Sequence, residues 1–475
     1  MHLPKSPWFR WGAFFVVGLF LALVVGSWHA SPALKPTLKP LPQDPYIQVY
    51  FNQNQANVYK EPYRRITRYG DNLEQVIIDT IGKANDSLDI AVHELNLPGV
   101  AQALCDRSRA GVRIRLILEN TYSHPWSGFN PQQIGQLDEY RQGKYNDFIA
   151  LVDQNHDGAL SPQERSQRDA LYMLQEAQIP LIDDTADGSK GSGLMHNKFM
   201  VVDNHIVLTG STNWTLSDIH GDVGAPDSRG NANALLVIQD SRLAEIFAEE
   251  FQAMWGDGPA GRKDSAFGVK KPYKGVRSLT LPSASLQVQF SPTPKRVPWF
   301  QSVNGLIAQT LQQARKEIDL TLFVFSEQAL SDTLAQSASR GVNVKTLIDP
   351  GFAYREYSEG LDMLGMTLPS AQCRYEANNN PWAKPILTVG IPKLAEGDKL
   401  HHKFGLIDDR TVIVGSQNWS KAANDTNDEN LLVIHNPTVA AHFRREFERL
   451  YSGADLGMTA LLQSTLDKRH RQCGQ

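Results

Sequence analysis

A histidine, a lysine two residues on and an aspartate five further stand shortly before a Gly-Ser-x-Asn at two places in this chain, and that doubling constrains its fold more than any other feature. The first copy is His196, Lys198 and Asp203 ahead of Gly210-Ser211-Thr212-Asn213. The second is His401, Lys403 and Asp408 ahead of Gly415-Ser416-Gln417-Asn418. In both, the histidine lies seven residues before its aspartate and fourteen before its glycine, with an apolar filling, FMVV in one and FGLI in the other. One such string is a weak signal; two in the same register read as the duplication of a folding unit.

The repeat runs well beyond the motifs. SLDIAVHEL, an amphipathic helix and GVRIRLILEN in the first half parallel EIDLTLFVFS, a helix and GVNVKTLIDP in the second. Asp89 and Asp319, like Gly111 and Gly341, are offset by 230 residues, whereas the motif histidines are offset by 205, so the first half carries 25 extra residues before its motif. LLVI recurs at Leu235 and Leu431, an offset of 196, which leaves nine more extra residues in DIHGDVGAPDSRGNAN. β-Branched runs alternate with helical segments at 97–110 and 327–340, so the expected fold class is α/β. Two lobes are predicted, each a mixed β-sheet flanked by helices, related by a pseudo-twofold with the active site between them. The first lobe is read as 47–256, with an insertion at about 140–178, and the second as 284–455. A Gly-, Pro- and Lys-rich linker at 257–283 joins them, and 456–475 is a C-terminal tail.

Chemistry follows from residue type. A neutral imidazole, with an ordinary pKa of about 6.5, can attack phosphorus or carry a proton. Lysine ammonium and asparagine amide groups can hold phosphoryl oxygens as negative charge builds. Two copies facing each other supply a nucleophile on one side of a phosphodiester and a general acid on the other, as an in-line displacement requires.

The doubled motif, the FSP at Phe290 to Pro292, and the cores MHNKFMVVD and HHKFGLIDD resemble the phospholipase D superfamily over about residues 48–452. That resemblance implies a covalent phosphohistidine formed without a metal and then cleaved by water or an alcohol. It assigns His196 as nucleophile and His401 as acid for the leaving group, an order that the residues themselves do not fix. Lys198, Lys403, Asn213 and Asn418 would cradle the phosphoryl oxygens, with Ser211 and Ser416 in support. Asp203 and Asp408 are expected to fix the lysine and serine side chains rather than touch substrate. The family also places an acid downstream to orient each histidine. Glu429 fills that place for the second repeat, while the first has Asn233 in register, with Asp218, Asp222 or Asp227 as substitutes.

Other residues carry blander readings. His402 is read as a packing neighbour, His93 and Glu94 as core because their repeat counterparts are Phe323 and Val324, and Trp214 and Trp419 as buried support behind the asparagines.

The first insertion holds an independent signal. Asp153, Asn155, Asp157, Gly158 and Glu164 fill positions 1, 3, 5, 6 and 12 of a calcium loop, with the Ala159 carbonyl at position 7 and Ser161 at position 9. Helical flanks would make one EF-hand-like unit that binds Ca2+ in a structural or regulatory role.

From Trp11 to Trp28 runs an uncharged, mostly apolar stretch preceded by Lys5 and Arg10, read as a signal anchor or signal peptide within residues 1–30. A Pro-rich tether at 31–46 follows, so the catalytic part is expected outside the cytoplasm, either membrane-anchored or secreted. Cys105 reads as a small core residue, and a bridge between Cys373 and Cys473 is conceivable without support from spacing. The formal net charge of -4, with no basic tract, is unlike a nonspecific nucleic-acid binder. The expectation is a monomeric phospholipase D-type phosphodiesterase acting on phospholipid head groups. Alternatives are an endonuclease of the same superfamily, since TGSTNWT and GSQNWS resemble its nuclease and cardiolipin-hydrolase branch, a cardiolipin synthase-like phosphatidyl transferase, and a non-enzymatic calcium-responsive membrane scaffold.

Overall fold

A computed structural model describes residues 34–474. The apolar stretch from Trp11 to Trp28 lies outside the described residues, and among those described no helix is long and apolar enough to cross a membrane.

Each half builds one large sheet. In the first, β1 (Ile47–Phe51), β2 (Ser87–Val92), β3 (Arg113–Leu118), β4 (Leu181–Asp183), β5 (Lys198–Val202), β6 (Ile206–Gly210) and β7 (Ala234–Gln239) pair in the order β1-β7-β6-β5-β2-β3-β4. Only the β2–β3 and β3–β4 pairs are parallel. The second sheet contains β8 (Arg277–Thr280), β9 (Ser285–Ser291), β10 (Glu317–Leu322), β11 (Asn343–Ile348), β12 (Val389–Ile391), β13 (Lys403–Ile407), β14 (Thr411–Gly415), β15 (Glu429–His435) and β16 (Asp455–Leu456). Its order, β8-β9-β15-β14-β13-β10-β11-β12-β16, repeats the seven strands of the first sheet and adds one at each edge. The linker is therefore partly structural, because β8 is an edge strand paired with β9.

Helices follow the same repeat. α1 (Pro98–Arg109), with Pro at its first turn, crosses between β2 and β3. The insertion folds as α2 (Glu139–Val152), α3 (Pro162–Arg168) and α4 (Ala170–Glu176). α5 (Ser241–Trp255) closes the first half, α6 (Gln328–Ser339) mirrors α1, α7 (Pro437–Tyr451) mirrors α5, and α8 (Ala460–Cys473) ends the chain. One apolar cluster joins Phe247 and Phe251 of α5 to Phe443 and Phe447 of α7, and Phe199 of β5 to Phe404 of β13. The lobes thus share a core, and two further clusters fill their outer faces. β5 and β13 are buried at every residue, as central strands covered on both sides should be.

The motif aspartates take a different place from the expected one. Asp203 and Asn204, like Asp408 and Asp409, have positive φ in two-residue turns between β5 and β6 and between β13 and β14, the geometry that hairpin twist favours. The Asp203 carboxylate accepts the amides of Asn85, Asp86 and Ser87 at 2.8, 2.9 and 2.7 Å. Asp408 accepts those of Arg315, Lys316 and Glu317 at 2.9, 2.8 and 3.0 Å. They fix neither lysine nor serine, since five residues of extended strand carry them roughly 16 Å from the lysine.

Cys373 and Cys473 are joined in a disulfide that ties α8 to the second lobe, a pairing that the spacing did not support. Cys105 is free and buried.

Candidate active site

The two motif histidines enter the site at the starts of β5 and β13, where the chain crosses between lobes. The His196 amide donates to the carbonyl of Asp428 at 3.0 Å, and the amide of Asp428 donates to Leu194 at 2.8 Å. Related by the pseudo-twofold, Ala232 donates to Lys399 at 2.8 Å. Each histidine segment therefore lies beside the strand that begins the other repeat's LLVI.

That crossing exchanges the orienting partners. His196 Nδ1 is 2.7 Å from Glu429 Oε2, and His401 Nδ1 is 3.0 Å from Asn233 Oδ1. Sequence register had given Glu429 to His401 and Asn233 to His196. The correction is physical: each strand starts against the opposite lobe, so the residue after Asp428 meets His196 and the residue after Ala232 meets His401. Asp218 completes the second set, with Oδ1 3.2 Å from His401 Nδ1. The Asn233 amide donates to Asp218 Oδ1 at 3.0 Å, which fixes its own oxygen toward the imidazole. Asp222 and Asp227 do not fill this role; Asp227 is exposed and Asp222 sits in the outer loop. With both Nδ1 atoms facing acceptors, each Nε2 is left for chemistry.

The lysines fold back on their own histidines. Lys198 Nζ donates to the His196 carbonyl at 2.8 Å and Lys403 Nζ to that of His401 at 2.7 Å. Both are almost fully buried. Burial pulls Lys198 down to about 8, and burial with the nearby Lys198 charge lowers Lys403 well below its ordinary value. Burial and the ammoniums of Lys198 and Lys403 also hold both imidazoles well below 6.5. Burial lifts Glu429 to about 8, and its Oε2 lies 2.7 Å from His196 Nδ1.

The remaining motif residues line the same place. Asn213 Nδ2 donates to Asp218 Oδ2 at 3.1 Å, while Asn213 Oδ1 and Asn418 Oδ1 are buried without a partner. Ser211 Oγ donates to Asn233 Oδ1 at 2.8 Å and accepts the Ala234 amide at 3.0 Å. Ser416 Oγ accepts the Asn430 amide at 3.0 Å. Gly210 and Gly415 precede these serines because a Cβ there would lie 2.2 and 2.3 Å from the carbonyls of Ala234 and Asn430.

The blander readings hold here. His93 and Phe323 are equivalent edge-on neighbours, at 5.0 Å from the His196 ring and 4.9 Å from the His401 ring. His402 is fully buried against Glu446 at 2.8 Å, and Trp214 and Trp419 are fully buried. Glu94 is buried too, but it ion-pairs with Lys144 of the insertion.

Glu119 and Asp349 were missed by the sequence reading. Glu119 accepts the Met195 amide at 2.6 Å and Asp349 accepts that of Leu400 at 2.8 Å, so each holds the residue before a histidine. The signal was an acid in the same place in both repeats, at the ends of GVRIRLILEN and GVNVKTLIDP. Lys271 was also overlooked; it is buried between Glu250 and Asp428, with 2.6 Å to the latter.

Beside Asp218 opens a cavity of about 470 Å³ whose wall includes Tyr140, Lys144, Asp147, Asp222 and Lys399. α2 of the insertion thus forms one wall of a cavity that is also lined by Asp218, the neighbour of His401.

The calcium-loop residues occupy the turn between α2 and α3. Gly158 has φ +79, and its amide donates to Asp153 Oδ2 at 3.0 Å. Asn155 Oδ1 accepts the Asp157 amide, Asp157 Oδ1 accepts the Ala159 amide, and Ser161 forms a capping box with Glu164. Among the described residues no three His, Cys, Asp or Glu side chains converge as a preformed metal cage. The donor set nonetheless suits a hard cation, because it is all oxygen and Asp153 Oδ1 is buried without a partner.

A family model described as cardiolipin synthase, PLD-like domain, matches residues 77–255 and 307–451. The chain is 29% identical over 175 residues to mitochondrial cardiolipin hydrolase of Homo sapiens, covering 36% of this chain and 60% of that protein. It is 27% identical over 134 residues to a phospholipase D of Rickettsia bellii, covering 28% of this chain and 56% of that protein. These matches span between half and two thirds of the relatives' own length. The solved structure of phosphatidylserine synthase from Haemophilus influenzae has the same fold, at TM-score 0.53 and 12% identity, with 91% of this chain and 94% of that one covered.

Proposed function

This chain belongs to the phospholipase D-like domain family, whose model spans both lobes, and from that premise we propose that it is a phosphodiesterase that removes phospholipid head groups through a phosphohistidine. The observation that carries the reading is the pair of imidazoles held by acceptors from opposite lobes, His196 by Glu429 and His401 by Asn233 and Asp218.

In this reading His196 Nε2 attacks phosphorus, the new P–N bond forms, and the P–O bond to the head group breaks. His401 gives its proton to the departing oxygen. The incoming phosphodiester carries one negative charge, which offsets the two ammoniums and lets His401, beside Asp218, hold that proton. Lys198, Lys403, Asn213 and Asn418 receive the phosphoryl oxygens. Water then attacks phosphorus, returns a proton to His401, and the P–N bond breaks to free His196. An alcohol in the same place would give phosphatidyl transfer instead.

Glu429 supports His196 as the nucleophile. The imidazole that becomes covalently charged sits 2.7 Å from a carboxylate, whereas the acid faces an amide oxygen at 3.0 Å and a carboxylate at 3.2 Å. The cavity beside His401 is the natural seat for the leaving head group, and its Asp147, Asp222 and Tyr140 suit an amine or polyol. Relatives named as acting on cardiolipin or as phospholipase D favour a lipid over a nucleic acid, as does the net charge of -4. The Cys373–Cys473 bridge suits an oxidising compartment, which agrees with an N-terminal segment that anchors the protein to a membrane or exports it.

The test is to incubate the full chain in detergent with labelled phosphatidylcholine, phosphatidylglycerol and single-stranded DNA, beside His196→Ala. Head-group release that the variant lacks is expected. Cleavage of DNA with inert lipids would overturn the substrate, and wild-type turnover by His196→Ala would overturn the mechanism.

A further inference from the structure

α2 is packed by buried residues at one end only. Its buried residues, Phe148, Leu151 and Val152, all lie in its last two turns, next to the loop at 153–164. Its first half is held by polar contacts that reach the active cleft from two sides. Lys144 ion-pairs with Glu94, and Tyr140 lies against Lys399, whose Nζ is 4.6 Å from the ring centre and which precedes His401 by two residues. Asp147 accepts the amides of Val223 and Gly224 at 3.1 and 3.2 Å, in the loop that follows Asp218. Whatever fixes the C-terminal end of α2 therefore fixes a wall of the cavity beside His401.

That end carries an uncompensated anion. Asp153 is the C-cap of α2, so its carboxylate faces the negative pole of the helix, where a cation is favoured. It is 5% exposed, one oxygen accepts the Gly158 amide, and the other is buried with no hydrogen-bond partner. Leaving such an oxygen unsatisfied is costly. Asn155, Asp157, Ser161 and Glu164 add oxygen donors within the same twelve residues, a number and hardness that fit calcium better than magnesium, which demands a smaller octahedral cage.

We propose that calcium binds this loop through Asp153 and Glu164, and that it sets the position of α2 and so tunes the head-group end of the cleft. The coupling rests on the phosphodiesterase reading above; the binding does not. No calcium enters the bond-breaking steps. Its effect is on how firmly Tyr140, Lys144 and Asp147 hold their partners in both lobes.

The test uses the full chain in detergent, stripped with EDTA. Calorimetric titration with CaCl2 should give one site with Kd on the order of 10⁻⁴ M, the range of extracellular calcium modules. MgCl2 should give a far weaker signal, and Asp153→Asn and Glu164→Gln should each weaken calcium at least tenfold. Circular dichroism spectra that match wild type would establish that these variants are folded. Hydrogen exchange should slow on calcium addition at 139–147 and at 218–231 as well as in the loop. In Lys144→Ala the slowing should be confined to 153–168. Flat calcium titrations of an active enzyme would overturn the proposal, and so would calcium binding with exchange unchanged at 139–147 and 218–231. Binding with both exchange effects, but no turnover of any phosphodiester, would uphold the site and overturn the proposed function instead.

Discussion

Glu429 and Asn233 distinguish two histidines that the motifs make look equivalent. Glu429 lies 2.7 Å from His196 Nδ1, in place to stabilise the positive charge that would develop if its Nε2 bonded to phosphorus, whereas His401 Nδ1 faces the Asn233 amide oxygen at 3.0 Å and Asp218 at 3.2 Å. Glu429→Gln is therefore expected to lower kcat about 100-fold or more, with KM changed less than threefold, because orientation survives and charge stabilisation does not. Wild-type kcat/KM should fall as pH rises past about 8, where Lys198 loses its proton, since burial lowers that lysine and its ammonium is the working form in this reading. On the acid side the loss should come below the ordinary histidine range, because burial and two ammoniums keep His196 neutral. A steady-state pH series on both proteins checks all three outcomes. The histidines, lysines and asparagines proposed to meet the phosphate were legible in the sequence, because spacing within a strand is local. The partners of the histidines were not: they lie 233 and 168 residues away, and register inside a repeat says nothing about which lobe a strand end will meet.

At the scale of elements, the most regular part of the motif serves the fold. Asp203 and Asp408 sit at hairpin tips and gather three amides each from the start of a neighbouring strand. A two-residue Asp-Asn or Asp-Asp between apolar strands was itself a turn signal. Asp203→Ala should cost about 2 kcal/mol, after discounting charged hydrogen bonds for partial exposure, and should leave kcat of the folded protein within a few-fold of wild type. Urea unfolding beside initial rates decides this; a large loss of kcat at unchanged stability would return the residue to the active site. The insertion was also legible as helix, loop and helix, from the order of its turn and apolar residues. Its docking across the cleft was not, since Lys144 and Tyr140 carry no motif.

For the whole molecule, duplication explains both what could be read and what could not. Two copies of one seven-strand order, offset in sequence, predict two α/β lobes and a site between them. The shared core of α5 and α7 follows, because each lobe has one apolar sheet face that only the other can cover. Near the histidines the departures from symmetry lie in the first repeat, where Asn233 and Asp218 meet His401 and the insertion reaches Lys399. The His401 side of the site thus carries these departures, while the His196 side keeps the simpler pair with Glu429. The disulfide that pins α8 belongs to the second lobe alone; the sequence left this pairing conceivable but unsupported, because its cysteines lie 100 residues apart.

The central claim is that these two sides have different roles, and trapping the covalent enzyme tests it most directly. Full-length protein is mixed with labelled phospholipid, quenched in alkali within milliseconds, digested and mapped by mass spectrometry. The account predicts a phosphoryl adduct on the peptide containing His196, longer-lived in His401→Ala and missing in His196→Ala. An adduct on the His401 peptide, or steady turnover by an enzyme in which neither histidine is ever labelled, would contradict it.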